Sequence, residues 1–145
     1  MKLALYIDSS FLLNIIYSEN KFEQYLKYFN SDQNKFSSIL LEVESVRSIN
    51  QFFNLNKKEI TKSWLAESEK ILEDFISQTS LKNVDYDILI EIKKNKNILE
   101  LKSLDATHLA TASHIRKLIS EELVMCTLDE RMRVVSNKLD FKLYP

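Results

Sequence analysis

Apolar and polar positions change period several times along the chain, and each change marks an element. Leu3-Ala4-Leu5-Tyr6-Ile7 is an unbroken apolar run that stops at Asp8, the pattern of a strand buried on both faces. Asp8, Ser9 or Ser10 can cap a helix running to about Ser18, and Phe22, Tyr25, Leu26 and Phe29 recur at helical spacing in a second. Lys35–Ser38 reads as a short strand leading into a helix over Ile39–Phe53. Lys57–Gln78 reads as the longest helix, with Ile60, Trp64, Leu65, Ile71, Leu72, Phe75 and Ile76 on its apolar face. A short strand over Leu81–Val84 and a helix over Asp87–Lys94 follow. Then come a small-residue helix over Ser103–Ala112, a buried strand over Leu123–Thr127, a helix over Glu130–Asn137 and a last strand over Asp140–Leu143. Strands alternating with helical connections predict an α/β fold in three layers, a short, mostly parallel central sheet with helices on both faces. Ligand sites in such sheets lie beyond the carboxyl ends of the strands, which directs attention to Asp8 and to Thr127-Leu128-Asp129.

Composition narrows the chemistry. The 145 residues are 45% hydrophobic, enough for one domain with a real core, and no linker, repeat or low-complexity tract divides them, so residues 1–145 read as a single domain. There is no glycine. A P-loop, a GxGxxG turn and a GxSxG elbow all require it, so none is present. Twenty basic against twenty-one acidic residues leave a formal charge of −1, so any nucleic-acid contact must use a local patch. The single cysteine, Cys126, excludes a disulfide framework and a multi-cysteine zinc site, and its setting in Leu123-Val124-Met125-Cys126 is that of a buried small residue. The longest apolar runs fall far short of the ~20 residues of a membrane span, and no signal peptide is readable at the amino end. A cytoplasmic protein is expected.

Four acids stand out. Asp8 and Asp129 each follow a predicted buried strand, Asp105 opens the small-residue helix, and Glu42 lies in the first turn of the helix after the short Lys35–Ser38 strand. Each is flanked by apolar residues, where an unpaired carboxylate is costly and calls for a partner. Taken singly, each has a plain explanation. Asp8 and Asp105 can be helix caps, Asp129 a turn residue, and Glu42 a solvated acid paired with Arg47 or Lys35. Glu44 shares no helix face with Glu42, two residues away, so only one of them can point into a common site.

The four acids together, in YIDSSFLL, FSSILLEVESVRSI, SLDATHLATA and TLDERM, form a pattern that resembles the PIN domain family, and more narrowly the VapC-type ribonuclease toxins of toxin–antitoxin pairs. The resemblance spans nearly the whole chain, and SLDATHLATA is its most specific segment. It implies a PIN-like fold with an acidic pocket of Asp8, Glu42, Asp105 and Asp129, all four as catalytic residues and metal ligands. Glu42 fits the family register better than Glu44. Ser10 and Thr127 fall where the family has hydroxyls that orient carboxylates. An all-oxygen site suits Mg²⁺ or Mn²⁺, one or two ions, and the implied activity is endonucleolytic hydrolysis of RNA phosphodiester bonds. His108, one turn after Asp105, reads as structural packing, and His114 has no supporting pattern.

Arg131 and Arg133, just after Asp129, are the candidate RNA contacts. The resemblance also implies an antitoxin partner that covers the active site. The first two helices are so apolar all round that either a thick core or an exposed groove near them must absorb the excess, and a groove would suit a partner helix. A homodimer is a further assembly to consider. Two rival readings stand beside the nuclease: a PIN-like module that binds RNA or protein without cutting, and a helical interaction domain whose acids are caps and surface charges. Without glycine, Asn137 is the residue expected to end the helix that follows Asp129.

Overall fold

Leu3–Ile7 does form a strand, and it becomes the centre of the sheet because every one of its apolar side chains finds a neighbour. A computed structural model describes residues 2–145. Five strands lie in the order β3 (Ser80–Lys82), β2 (Asn34–Ser38), β1 (Leu3–Ile7), β4 (Glu122–Cys126) and β5 (Lys142–Tyr144). Every neighbouring pair is parallel, so the sheet is wholly rather than mostly parallel. Strand alternation divides the core in two. Ala4, Tyr6, Leu123 and Met125 face α5 (Tyr86–Lys93), α6 (Ser103–Arg116) and α7 (Glu130–Lys138), while Leu5, Ile7, Val124 and Cys126 face the opposite core. That second core holds α1 (Ser9–Ile16), α2 (Phe22–Phe29), α3 (Ile39–Leu55) and α4 (Lys62–Ser77).

Several boundaries differ from expectation; α6, for one, runs four residues past the expected Ala112 to Arg116. The helix expected from Lys57 starts at Lys62, because Thr61 caps it by accepting from the Trp64 amide (3.3 Å); α3, running two residues further than expected to Leu55, is then the longest helix. Ile98–Glu100 forms a single 3₁₀ turn that sequence periodicity did not reveal, and it buries Ile98. The fourth strand ends at Cys126 and not Thr127, which leaves Thr127 beyond the sheet.

The absence of glycine shows in the backbone. Ser18, Lys21 and Asp140 adopt left-handed conformations with φ of 52°, 65° and 60°. Asn137 does not end α7, which continues to Lys138; the left-handed residue is Asp140, whose short polar side chain tolerates the conformation, in a turn closed by the Phe141 amide donating to Ser136 O (3.1 Å). Lys21 has no such excuse, as it precedes α2 without a capping side chain. Replacing Lys21 by Gly should stabilise the protein by about 0.5–1 kcal/mol, a rise of roughly 3 °C in thermal midpoint. Differential scanning calorimetry checks this, and a lowered midpoint would contradict it.

The excess of apolar residues on α1 and α2 is absorbed by depth. Phe11, Leu12, Ile15, Ile16, Tyr25 and Phe29 are buried together with Leu41 and Ile49 of α3 and Leu72 and Phe75 of α4, and no large apolar side chain of α1 or α2 is exposed. The groove expected near these two helices is therefore not open. Exposed apolar side chains lie instead on α3 (Val43, Val46, Phe52, Leu55) and α5 (Tyr86, Leu89, Ile90). Among the described residues no helix is long and apolar enough to cross a membrane.

Candidate active site

The parallel register brings the strand-end residues together. Ile7 pairs with Cys126, and the Asp8 amide donates to the Cys126 carbonyl (3.0 Å), so Asp8 and Thr127 emerge side by side past the sheet edge. Asp8 stands at the cap position of α1, yet its side chain makes no capping bond. Its Oδ2 accepts from both Ser10 Oγ and Thr127 Oγ1, each at 2.7 Å. Ser10 Oγ also accepts from the Leu128 amide (3.0 Å), and Thr127 Oγ1 from the Asp129 amide (3.1 Å). One oxygen of a nearly buried carboxylate is thus anchored twice, and no donor among the described residues reaches the other.

Asp129 is tied to Asp8 through this Thr127 bridge. It caps α7, its Oδ1 accepting from the Met132 amide (2.8 Å), which realises the plain role of a helix cap while leaving Oδ2 without a protein donor. Asp105 sits in the first turn of α6, a helix whose small residues Ala106, Ala110 and Ala112 let it lie close against the sheet. Asp105 makes no hydrogen bond from its side chain among the described residues. Partial burial, then the charges of Asp129 and Asp8, push its pKa above the ordinary aspartate value, as expected where carboxylates crowd.

On α3 the structure turns Glu44 into this cluster and Glu42 away from it. Glu44 Oε1 accepts from His108 Nε2 (2.6 Å) and Oε2 from Ser9 Oγ (3.2 Å), and its charge contributes to the raised pKa of Asp105. Glu42 lines a shallow outer groove with Ile39, Val43, Val46 and Arg47. Leu41, Ser45 and Ile49 mark the buried face of α3, with Glu44 and Ser48 on one flank and Glu42 and Val46 on the other. Tyr17 of the α1 end bonds Ser48 and Ser9 bonds Glu44, so the first flank faces α1, the helix that begins beside Asp8. The expected Glu42 is thus not brought to Asp8, Asp105 and Asp129; Glu44 is.

The mouth of the site is a cleft of about 340 Å³ lined by Glu100, Lys102, Asp105, Asp129 and Arg131. A larger cavity, about 550 Å³, lies between the ends of α3 and α4 among Phe53, Lys58 and Ile60, at the far end of α3 from the acids. Arg131 donates to the Glu100 carbonyl (3.2 Å) and keeps its place at the rim, whereas Arg133 turns inward to the Thr127 carbonyl (3.3 Å). Lys102, just before α6, is a second cation at this rim, one that its position in the sequence did not mark out. His108 is fully buried, as expected of a packing residue, but both its ring nitrogens are bonded.

Among the described residues no three His, Cys, Asp or Glu side chains converge tightly enough to enclose an ion alone. The donor set nevertheless fits a hard divalent cation. Every donor is oxygen, Asp8 and Asp129 each present an oxygen without a protein donor, Asp105 presents two, and Mg²⁺ takes one or two carboxylates while keeping waters. The crowding has a testable consequence. A raised pKa means that the folded state binds the Asp105 proton more tightly than the unfolded chain, so this carboxylate lowers stability once pH rises above both pKa values. Asp105→Asn should therefore stabilise the cation-free protein at pH 7 by roughly 0.5 kcal/mol, about 2 °C, allowing for solvent screening of a half-buried group. The gain should vanish below about pH 4; a thermal midpoint lowered at pH 7 would show that the acids do not repel.

Known proteins resemble this chain in sequence and in fold. A family profile described as the PIN domain matches residues 5–138. Ribonuclease VapC46 of Mycobacterium tuberculosis is 27% identical over 136 residues, covering 94% of this chain and 92% of the relative. Among solved structures, VapBC2 from Rickettsia felis bound to a DNA fragment from their promoter superposes with a TM-score of 0.61 at 12% identity, covering 98% of this chain and 97% of that one. A toxin–antitoxin complex from Klebsiella pneumoniae gives a TM-score of 0.55 at 19% identity, with 83% of each chain covered; at such identities these two show the fold. With its wholly parallel sheet, its acids gathered at the strand ends and a family match over almost its full length, the chain belongs to the PIN domain family.

Proposed function

We propose that this protein is a divalent-metal-dependent endoribonuclease, the toxin of a type II toxin–antitoxin pair, with Asp8, Glu44, Asp105 and Asp129 as its acidic centre. One observation carries the reading: Asp8 has one carboxylate oxygen anchored by Ser10 and Thr127, while its other oxygen and the donor-free oxygens of Asp105 and Asp129 are left for a cation. Helix caps alone would not crowd three acids at a sheet edge. When bound there, Mg²⁺ or Mn²⁺ supplies Lewis acidity and an activated water for phosphodiester hydrolysis. Ser10 and Thr127 hold the Asp8 carboxylate in one orientation, and Asp129 is held by its own cap bond. Lys102 and Arg131 flank the acids at the cleft, where their charges can hold the phosphates on either side of a scissile bond. The names of the ribonuclease relative and of the toxin–antitoxin complexes support an antitoxin partner. The matched span, with β5 completing the sheet edge beside β4, supports residues 1–145 as one domain.

The purified protein should cleave single-stranded RNA internally when Mg²⁺ or Mn²⁺ is supplied and stop when a chelator removes it. Lys102→Ala and Arg131→Ala should each lower cleavage most at low salt, and the deficit should shrink as salt rises, because each variant has one phosphate contact fewer and so a shallower salt dependence. RNA binding without metal-dependent cleavage under any of these conditions would favour the non-cutting module instead.

A further inference from the structure

Beneath the acids lies a buried polar layer that the proposed chemistry does not itself use. Tyr6 precedes Asp8 by two residues on β1, so the two share a sheet face, and His108 follows Asp105 by one helical turn, so those two share a face of α6. Tyr6 and His108 are both fully buried and meet edge to face, ring centroids 5.8 Å apart at 80°. The Tyr6 hydroxyl bonds His108 Nδ1 (2.8 Å), and His108 Nε2 bonds Glu44 Oε1 (2.6 Å). A carboxylate oxygen accepts, so in this bond His108 Nε2 is the donor. The chain Tyr6–His108–Glu44 therefore runs from the central strand through α6 to the one acid that α3 contributes.

We propose that His108, held by Tyr6, is a positioning residue that fixes the Glu44 carboxylate toward Asp8 and Asp105, so that α3 supplies its acid to the cation site in one rotamer. Three observations support this. Glu44 is the only member of the four acids on a long, flexible side chain, and it is held by neither a cap nor a strand-end hydroxyl pair. Its two oxygens are each occupied once, by His108 and by Ser9, which leaves lone pairs on both for a further partner. And a histidine buried on all sides with two bonded nitrogens is oriented, where a packing residue would have been apolar. Groups that orient metal-binding carboxylates typically change metal affinity 10–100-fold when removed.

This inference rests on the metal-dependent reading, and the test separates the two. Mn²⁺ affinity of the full-length protein without RNA can be measured by the loss of the free-Mn²⁺ electron paramagnetic resonance signal. Wild type, His108→Leu, His108→Gln, Tyr6→Phe, Glu44→Gln and the double variant H108L/E44Q are compared, each checked for native circular dichroism. His108→Leu should weaken Mn²⁺ binding about 10–100-fold, whereas His108→Gln, which keeps an N–H directed at Glu44, should stay within about 3-fold of wild type. The double variant should bind no more weakly than Glu44→Gln alone, since His108 acts through Glu44. A folded His108→Leu with wild-type affinity overturns the proposal, as does additive loss in the double variant. If His108→Leu does not fold, Tyr6→Phe decides, because it removes one oxygen and frees the ring: a loss of a few fold supports the proposal and none refutes it. Wild type that neither binds Mn²⁺ nor cleaves RNA with it sinks the nuclease reading itself; wild type that does both, beside unaffected variants, sinks only the role of His108.

Discussion

Asp8→Asn should lower single-turnover RNA cleavage by about 10³-fold at saturating Mg²⁺ or Mn²⁺, a loss of roughly 4 kcal/mol in transition-state stabilisation. The substitution is nearly isosteric, and the amide oxygen can still accept from Ser10 and Thr127, whose hydroxyls converge on one oxygen at 2.7 Å. The fold should therefore survive, with a thermal midpoint within about 2 °C of wild type. What disappears is the charge at the one carboxylate that the sheet edge itself positions. Cleavage reduced by less than tenfold in a folded Asp8→Asn protein would mean that the strand-end acid is not part of the reacting site, and the proposed activity would fall with it. Measuring cleavage and melting on the same preparation is essential, because only the combination of intact fold and lost activity isolates chemistry from stability.

The second large effect distinguishes two glutamates only two residues apart. Glu44→Gln should cost about 10²-fold in cleavage, while Glu42→Gln should stay within about twofold, because Glu44 is bonded to His108 and Ser9 beside the acids and Glu42 lines an outer groove with Val43 and Val46. A single-turnover assay on both variants settles it. Should Glu42→Gln be the damaging change, then α3 presents its other flank to the substrate in solution, and the packing of Tyr17 on Ser48 and of Ser9 on Glu44 does not describe the active state.

That pair of residues also shows where reading the chain reached its limit. The strands ending at Asp8 and near Thr127 were visible as unbroken apolar runs, and the rule that parallel sheets bind ligands past their carboxyl ends placed both aspartates correctly at one edge. Ser10 and Thr127 were named by the family resemblance; the Ser10 bond to Asp8 is local, whereas Thr127 meets Asp8 only because the parallel register sets the two strand ends side by side. Glu42 and Glu44 could not be separated by local geometry. Both are equally near the buried stripe of Leu41, Ser45 and Ile49, and their flanking residues favour neither. His108 carried a signal of a kind, a lone polar ring among the small residues of α6, but its partners Tyr6 and Glu44 lie 102 and 64 residues away in the chain.

The excess of apolar residues on α1 and α2 was ambiguous for a related reason. Whether such a surplus is buried or exposed depends on what lies over it, and α3 and α4 lie over it here. Likewise the missing glycine predicted that some other residue must take a left-handed turn after α7, and the stretch was found correctly; which residue took it was set by the closing bond of Phe141 to Ser136.

By itself, then, the sequence determined the element order, the parallel α/β architecture and the two acids at the strand ends, because these follow from periodicity and from contacts within a few residues. The tertiary structure decided which face of α3 meets the site, and with it the choice of Glu44, the buried Tyr6–His108 support, the inward turn of Arg133 and the burial of α1 and α2. Those depend on the rotation of helices about their own axes, which is fixed by packing against segments far away in the chain and leaves no mark in local spacing.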